Sequence, residues 1–227
     1  MAAVRVSSKR AAAGFSLVEL LLAAALGLGL CGLMLQGLLS DGNQSQRLGR
    51  LYRERANQRR TLELVRSDVE RALAVSAQPE LEASACGWAS RKPVLHLKLD
   101  GGRSISYSVG AAPSGIWRGQ VLMRCGPAFD LFGQLSTSVN SQNRVVIDGL
   151  AKPDRGWTGC QTLVPGGADL NGSGREGFAA CFDPTRQLVA MRLYQVFATT
   201  QASGQGQASG RNQTITAEAT AAPGWAG

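Results

Sequence analysis

Gly14-Phe15-Ser16-Leu17-Val18-Glu19 places one carboxylate at the start of an otherwise apolar run that extends to Leu39. Residues 1–14 carry Arg5, Lys9 and Arg10 and no acid. An unpaired carboxylate in hydrocarbon costs several kcal/mol, so an acid inside a membrane span points to a function beyond anchoring. Residues 15–39 would form a helix of about 37 Å, enough to cross a bilayer with some tilt. A cleaved secretory signal has a shorter apolar core and a small-x-small exit, and neither is clear here. The three leader cations orient the N-terminus towards the cytoplasm. Arg47, Arg50, Arg53, Arg55, Arg59 and Arg60, set against Glu54 alone, argue the other way.

The sequence of basic leader end, Gly14, Phe15, Ser16, the two apolar residues Leu17 and Val18, Glu19 and an apolar helix resembles the class III signal of type IV pilins and type II secretion pseudopilins. The resemblance implies that a prepilin peptidase/N-methyltransferase cuts between Gly14 and Phe15 and methylates the new amine of Phe15. Glu19, the fifth mature residue, would then serve assembly. Implied partners are other pilins or pseudopilins, an inner-membrane assembly platform, and the inner membrane before assembly. Weaker ectodomain features are similar to large minor pilins of the PilW or pseudopilin J kind. They are a stem with Asn57, Leu62, Val65 and Asp68-Val69; Ile105-Ser106-Tyr107-Ser108-Val109 followed by Ile116-Trp117-Arg118; and a late Asp169–Gly174 loop.

The chain has 227 residues and a net charge of +8, which falls to +5 when the three leader cations are removed. What remains beyond the apolar run suffices for one core of moderate size. Such a surplus suits solubility, anionic surfaces or nucleic acid without choosing among them. Cys31 lies in the apolar span and reads as a small hydrophobe. Cys86, Cys125, Cys160 and Cys181 form an even set that reads as two disulfides in an oxidising compartment. Four cysteines permit three pairings, and the sequential one, Cys86–Cys125 with Cys160–Cys181, closes the shortest loops. Zinc is the rival, but no C-x-x-C occurs and His96 is the only histidine.

Along the chain, 1–14 reads as a cytoplasmic leader, 15–39 as a transmembrane helix and 40–78 as an amphipathic stem. Residues 79–200 read as a β-rich globular domain and 201–227 as a flexible Gly/Ser/Gln-rich tail, in which 212–219 could add an edge strand. Ser40–Asn43 suggests a kink or short break. Leu48, Leu51, Arg55, Leu62, Val65, Val69 and Leu73 recur at helical spacing, and Gln78-Pro79 should end the stem. Residues 93–99 and 103–109 alternate around Asp100-Gly101-Gly102 as a hairpin. Further strands are expected at 116–124, 144–147 and 188–198. The fold class is α+β: a long N-terminal helix, transmembrane then amphipathic, packed on an antiparallel sheet.

Asp169, Asn171 and Ser173, with Gly174 at the sixth position, match the front half of a calcium loop. Ala180 stands where the bidentate Glu belongs, so a plain Asx turn is the competing reading. Any calcium there would be structural. His96, between Leu95 and Leu97 on the opposite face of its strand, reads as a surface imidazole. Neither a G-x-S-x-G elbow nor a P-loop occurs, so no catalytic constellation emerges. The arginines of 47–60 could touch DNA phosphates, but only Tyr52 accompanies them as an aromatic; a solvated stem face, or pairing with acids on adjacent subunits, explains them as well. The expectation is a non-enzymatic minor pilin-like subunit of a bacterial type IV pilus or related filament, acting in assembly or at the tip. A type II secretion pseudopilin or a membrane-tethered extracytoplasmic binding domain are the alternatives. The expected location is a single pass in the inner membrane, N-terminus cytoplasmic and globular domain periplasmic, then the filament.

Overall fold

The computed structural model describes residues 16–137, 140–201 and 209–224. The leader, Phe15, the 202–208 link and the last three residues lie outside the described residues. The fold is mixed α+β: an N-terminal apolar helix and an antiparallel sheet. It divides into two units, residues 1–48 and 49–227.

In the first unit, helix α1 (Leu17–Glu70) begins. Its Leu17–Gln36 stretch has a mean hydropathy of 2.2 and is long and apolar enough to cross a membrane. Ser16 forms the N-terminal cap described below. The helix runs through residues 40–43, where a break was expected. Glycine in a helix interior costs only about 1 kcal/mol, and no proline is present to remove a backbone bond.

The second unit contains the rest of α1, whose buried positions are Gln58, Thr61, Leu62, Val65, Asp68, Val69 and Ala72 just beyond its end. These recur every three or four residues and make one face. Leu48, Tyr52 and Leu73, by contrast, are exposed. The helix stops at Glu70, not at Gln78. Strand β1 (Ala74–Val75) instead pairs with β2 (Lys92–Lys98), and the Leu73 and Ser76 amides donate to the carbonyls of Lys98 and His96. Pairing the sheet edge satisfies backbone groups that a longer helix would have satisfied internally.

After β2, a single turn at Asp100–Gly102 reverses the chain, with Gly101 and Gly102 at φ 61° and 73°, which only glycine adopts without cost. Strands β3 (Ser104–Ala111), β4 (Gln120–Pro127) and β5 (Ser141–Leu150) follow as an antiparallel meander. A short helix α2 (Gly159–Leu163) leads to β6 (Ala168–Asp169), β7 (Phe178–Asp183) and β8 (Leu188–Gln201). The sheet order is β1-β2-β3-β4-β5-β8-β7-β6. Strand β9 (Ser209–Ala221) pairs with Val189–Gln201 of β8, so 13 residues of the segment expected as a flexible tail are sheet, and the edge strand expected at 212–219 lies within them. Its Ile215 and Ala221 are buried, with Ala217 and Ala219 packed on the core.

The core joins Leu62, Val65 and Val69 of α1 to Leu95, Tyr107, Leu122, Phe178 and Met191 of the sheet. Each aliphatic side chain so removed from water contributes about 1.5–3 kcal/mol. Both expected disulfides are present, Cys86–Cys125 and Cys160–Cys181, each with Cα atoms 6.0 Å apart. The first ties the loop after β1 to β4. The second ties α2 to β7 within a small cluster that includes Val164 and Ala190.

Candidate functional site

At the start of α1, the Ser16 amide donates to Glu19 Oε2 at 3.4 Å and the Glu19 amide donates to Ser16 Oγ at 3.2 Å. This reciprocal pair is a capping box: each side chain occupies a backbone donor that the first helical turn leaves unpaired. Glu19 therefore already has one structural task. Gly14 and Phe15, the residues of the expected cut and methylation, lie outside the described residues.

In the globular unit the densest polar constellation is one the sequence did not single out. Asp68 of α1, 0% exposed, receives the Arg124 guanidinium from β4 through two bonds, Nε to Oδ2 at 2.6 Å and Nη2 to Oδ1 at 3.2 Å. Tyr107 of β3 donates its hydroxyl to the same Oδ2 at 2.6 Å. Arg124 Nη1 donates to the Pro127 carbonyl, and the guanidinium lies 4.9 Å from the Phe129 ring centroid. Burial alone would lower the Arg124 pKa, but the bonds and charge of Asp68 raise it overall. Tyr107 is pushed well above its ordinary value by burial and then by the Asp68 charge, so it stays a proton donor. With both partners saturated, the trio is a clasp between helix and sheet and not a site for ligand.

His96 is buried, which corrects the surface reading: β2 is covered on both faces, so alternation does not expose it. Its Nδ1 lies 2.8 Å from Ser106 Oγ on β3, and its Nε2 lies 3.9 Å from Glu82. These residue types could form a nucleophile relay, but His96 and Ser106 are only 3% and 2% exposed. Burial lowers the His96 pKa; Glu82 raises it less, and Lys98 lowers it further.

Leu170–Arg175 forms 3₁₀-type turns interrupted by a kink, where Asn171 and Gly172 take φ of 50° and 57°. Asp169 Oδ1 accepts from Ser173 Oγ at 2.8 Å, and its Oδ2 accepts from the Gly174 amide at 3.0 Å. Asn171 turns away and donates to the Pro93 carbonyl at 2.7 Å, while Ser173 Oγ also accepts from the Ala180 amide. Asp169 and Ser173 thus bond to each other and to backbone amides, while the Asn171 side chain is tied through its amide nitrogen to Pro93 and does not converge with them. No group of three His, Cys, Asp or Glu residues with metal-binding geometry occurs among the described residues.

A cleft of about 770 Å³ lies between residues 153–163 and the outer face of β8 and β9. Trp157 Nε1 donates to Glu218 Oε1 at 2.8 Å across it, and Arg192 sits 5.6 Å from the Trp157 ring centroid. Arg192 Nη2 is held by the carbonyls of Gly174 and Glu176. Burial lowers the Arg192 pKa, with Glu218 and Asp169 opposing. The acids and cations of this cleft neutralise one another, and it contains no nucleophile paired with a base.

Of the stem arginines, Arg50, Arg55, Arg59 and Arg60 are exposed, and Arg53 donates to the Gly49 carbonyl within its own helix. Compared with protein-family models, curated proteins and solved structures, the chain matches none.

Proposed function

We propose that this chain is a minor pilin-like structural subunit, processed by a prepilin peptidase and inserted into a type IV pilus or related filament. The observation that carries the reading is the placement of Glu19 in the first turn of a membrane-competent helix, directly after a basic, glycine-ended leader. Support of a second kind comes from the globular unit. The α1 face of Gln58–Ala72 packs on an antiparallel sheet, an arrangement suited to displaying a domain from a helix. Two disulfides suit an oxidising compartment, which favours an extracytoplasmic sheet domain on a single-pass membrane protein.

In this reading the apolar helix holds the subunit in the inner membrane, N-terminus cytoplasmic, until the cut after Gly14 frees the Phe15 amine. Glu19 then pairs with a positive amine, its own or a neighbour's. The subunit performs no chemistry of its own. The type II secretion pseudopilin differs from this only in the filament that it joins. The test is intact mass of the membrane-extracted protein together with immunoblotting of sheared filaments. A mature chain starting at methylated Phe15, and present in filaments, is expected. A stable chain still starting at Met1 in a peptidase-positive cell would support a tethered binding domain instead.

A further inference from the structure

Strand β9 is an edge. It pairs with β8 on one side and with no other described strand, over a length of 13 residues. The parity of its free groups follows from β8. The Tyr194 amide donates to the Gly177 carbonyl and the Tyr194 carbonyl accepts from the Ala151 amide, so both polar groups of Tyr194 face away from β9. Thr216, opposite Tyr194, and Glu218, opposite Arg192, are therefore the pairs that exchange no backbone bonds with β8. Their N–H and C=O groups point to the open side.

Long open edges are templates for another strand, and folded proteins normally blunt them with lysine, proline or a covering segment. Here Thr214, Thr216 and Thr220 occupy the outward positions, with Glu218 the lone charge. Beside this edge runs a groove of about 590 Å³, lined by Arg55, Gln58, Arg59 and Leu62 of α1 and by Thr216 and Glu218. Arg55 and Arg59 are exposed and make no ion pair with any described residue. Arg66, further along, is held by Glu70 at 2.8 Å. Of the two acids at the groove, Glu218 is engaged by Trp157 and only Glu63 faces the arginines from the helix.

We propose that this groove receives an extended, acidic segment of another protein chain, which adds as a strand to the Thr216–Glu218 edge and pairs its carboxylates with Arg55 and Arg59. Backbone bonds from Thr216 and Glu218 supply the affinity, and the arginines select the sequence, as in other cases of strand addition. The spacing agrees. Arg55 and Arg59 rise about 6 Å along the helix, close to the roughly 6.7 Å between like-facing residues of a strand.

The test uses the full chain in detergent micelles and fluorescence anisotropy of a capped ten-residue probe alternating threonine and glutamate. The glutamate probe should bind, and a lysine version should not. Thr216→Pro, which removes one outward N–H, and the double variant Arg55→Glu/Arg59→Glu should each weaken binding at least tenfold, while Thr216→Ala should leave it within threefold. Two further probes need no change in the protein: N-methylation at the odd or at the even positions should block one parity and spare the other. Failure of the glutamate probe to bind overturns the proposal. So does equal binding of the two methylated probes, which would mark a purely ionic contact with any polyanion or anionic surface. Self-association of the chain that Thr216→Pro abolishes would also overturn it, by making a second copy the occupant.

Discussion

The Asp68 carboxylate of α1 and the Arg124 guanidinium of β4 meet at 2.6 Å in the core, the acid wholly buried and the cation nearly so. The pair fixes which turn of the helix faces which strand, because Leu62, Val65 and Val69 alone could slide past an apolar sheet. Buried ion pairs are poor sources of net stability, but removal of one partner leaves the other charge stranded.

Asp68→Ala should therefore destabilise the globular unit by about 3–5 kcal/mol. The double variant Asp68→Ala/Arg124→Met should lose clearly less than the single one, because no unpaired charge remains. Urea unfolding of both, followed by tryptophan fluorescence, gives the comparison. A double variant as unstable as Asp68→Ala would show that the pair does more than cancel its own burial.

The disulfides close loops of 39 and 21 residues. In the chain-entropy account each should contribute about 3–4 kcal/mol, chiefly by restricting the unfolded chain. Peptide mapping without reductant should find no free thiol among Cys86, Cys125, Cys160 and Cys181. Reduction should lower the unfolding midpoint sharply, and an unchanged midpoint would mean that the packing around Cys181 and Cys125 suffices alone.

His96 gives a pH dependence whose sign follows from its burial. The folded pKa lies below the ordinary value of 6.5, so the unfolded chain takes up the proton first. The contribution of neutral His96 is fully present above pH 6.5 and is lost as the pH falls through the depressed folded value. Glu82, held low chiefly by its bond to Lys98 against the opposing effect of burial, acts in a separate window below its ordinary 4.5. Unfolding midpoints should thus begin to fall just under pH 6.5, and His96→Gln should flatten that first fall. Parallel curves for the variant and the original chain would remove His96 as the cause.

The Asp169 loop is satisfied by its own bonds, so Asp169→Ala should cost about 1 kcal/mol by freeing the Gly174 amide and the Ser173 hydroxyl. Millimolar calcium should leave the melting temperature of the original chain unchanged. A rise in melting temperature that Asp169→Ala abolishes would instead show that the turn reorganises into a cation site.

What the sequence made legible was pattern that one local rule could read. The 93–99 and 103–109 hairpin, β8 and the sequential cysteine pairing all fall into that class. Asp68 was visible only as part of the Asp68-Val69 stem motif, and its pairing was not, although it stands on the same stripe as Leu62, Val65 and Val69. An acid on an apolar helix stripe is itself the signal, but its partner Arg124 is 56 residues away and is known only from the sheet. The strand after the Asp169–Gly174 loop could be expected but not bounded: Phe178–Asp183 is buried on both faces and has no alternation to detect. Alternation around His96 implies one wet face, whereas residues 93–97 of β2 are buried on both. Strand β9 has three threonines but also three alanines and a run of single polar residues, a mixture that supports only the edge strand expected at 212–219; its full extent comes from the 13 register positions it shares with β8.

Glu19 allows the two readings of the N-terminus to be separated by one atom-scale change. As the third helical residue after Ser16 it closes a capping box, and glutamine closes the same box, since its side-chain oxygen accepts the Ser16 amide equally well. As an assembly residue it must carry charge, because a neutral amide can accept a hydrogen bond from the Phe15 amine that cleavage creates but cannot offset its charge. Glu19→Gln should therefore insert, keep its helix and be cleaved after Gly14, the span having become less polar. It should nonetheless fail to enter filaments, since each subunit would leave an amine unpaired at a cost of about 3–5 kcal/mol in a low-dielectric setting. Glu19→Ala should fail in the same way and should also fray the first turn. Sheared filaments probed for each variant, with intact mass as the control for cleavage, give the answer. If Glu19→Gln is incorporated as well as the original chain and only Glu19→Ala is impaired, the carboxylate is a helix cap and the assembly role falls.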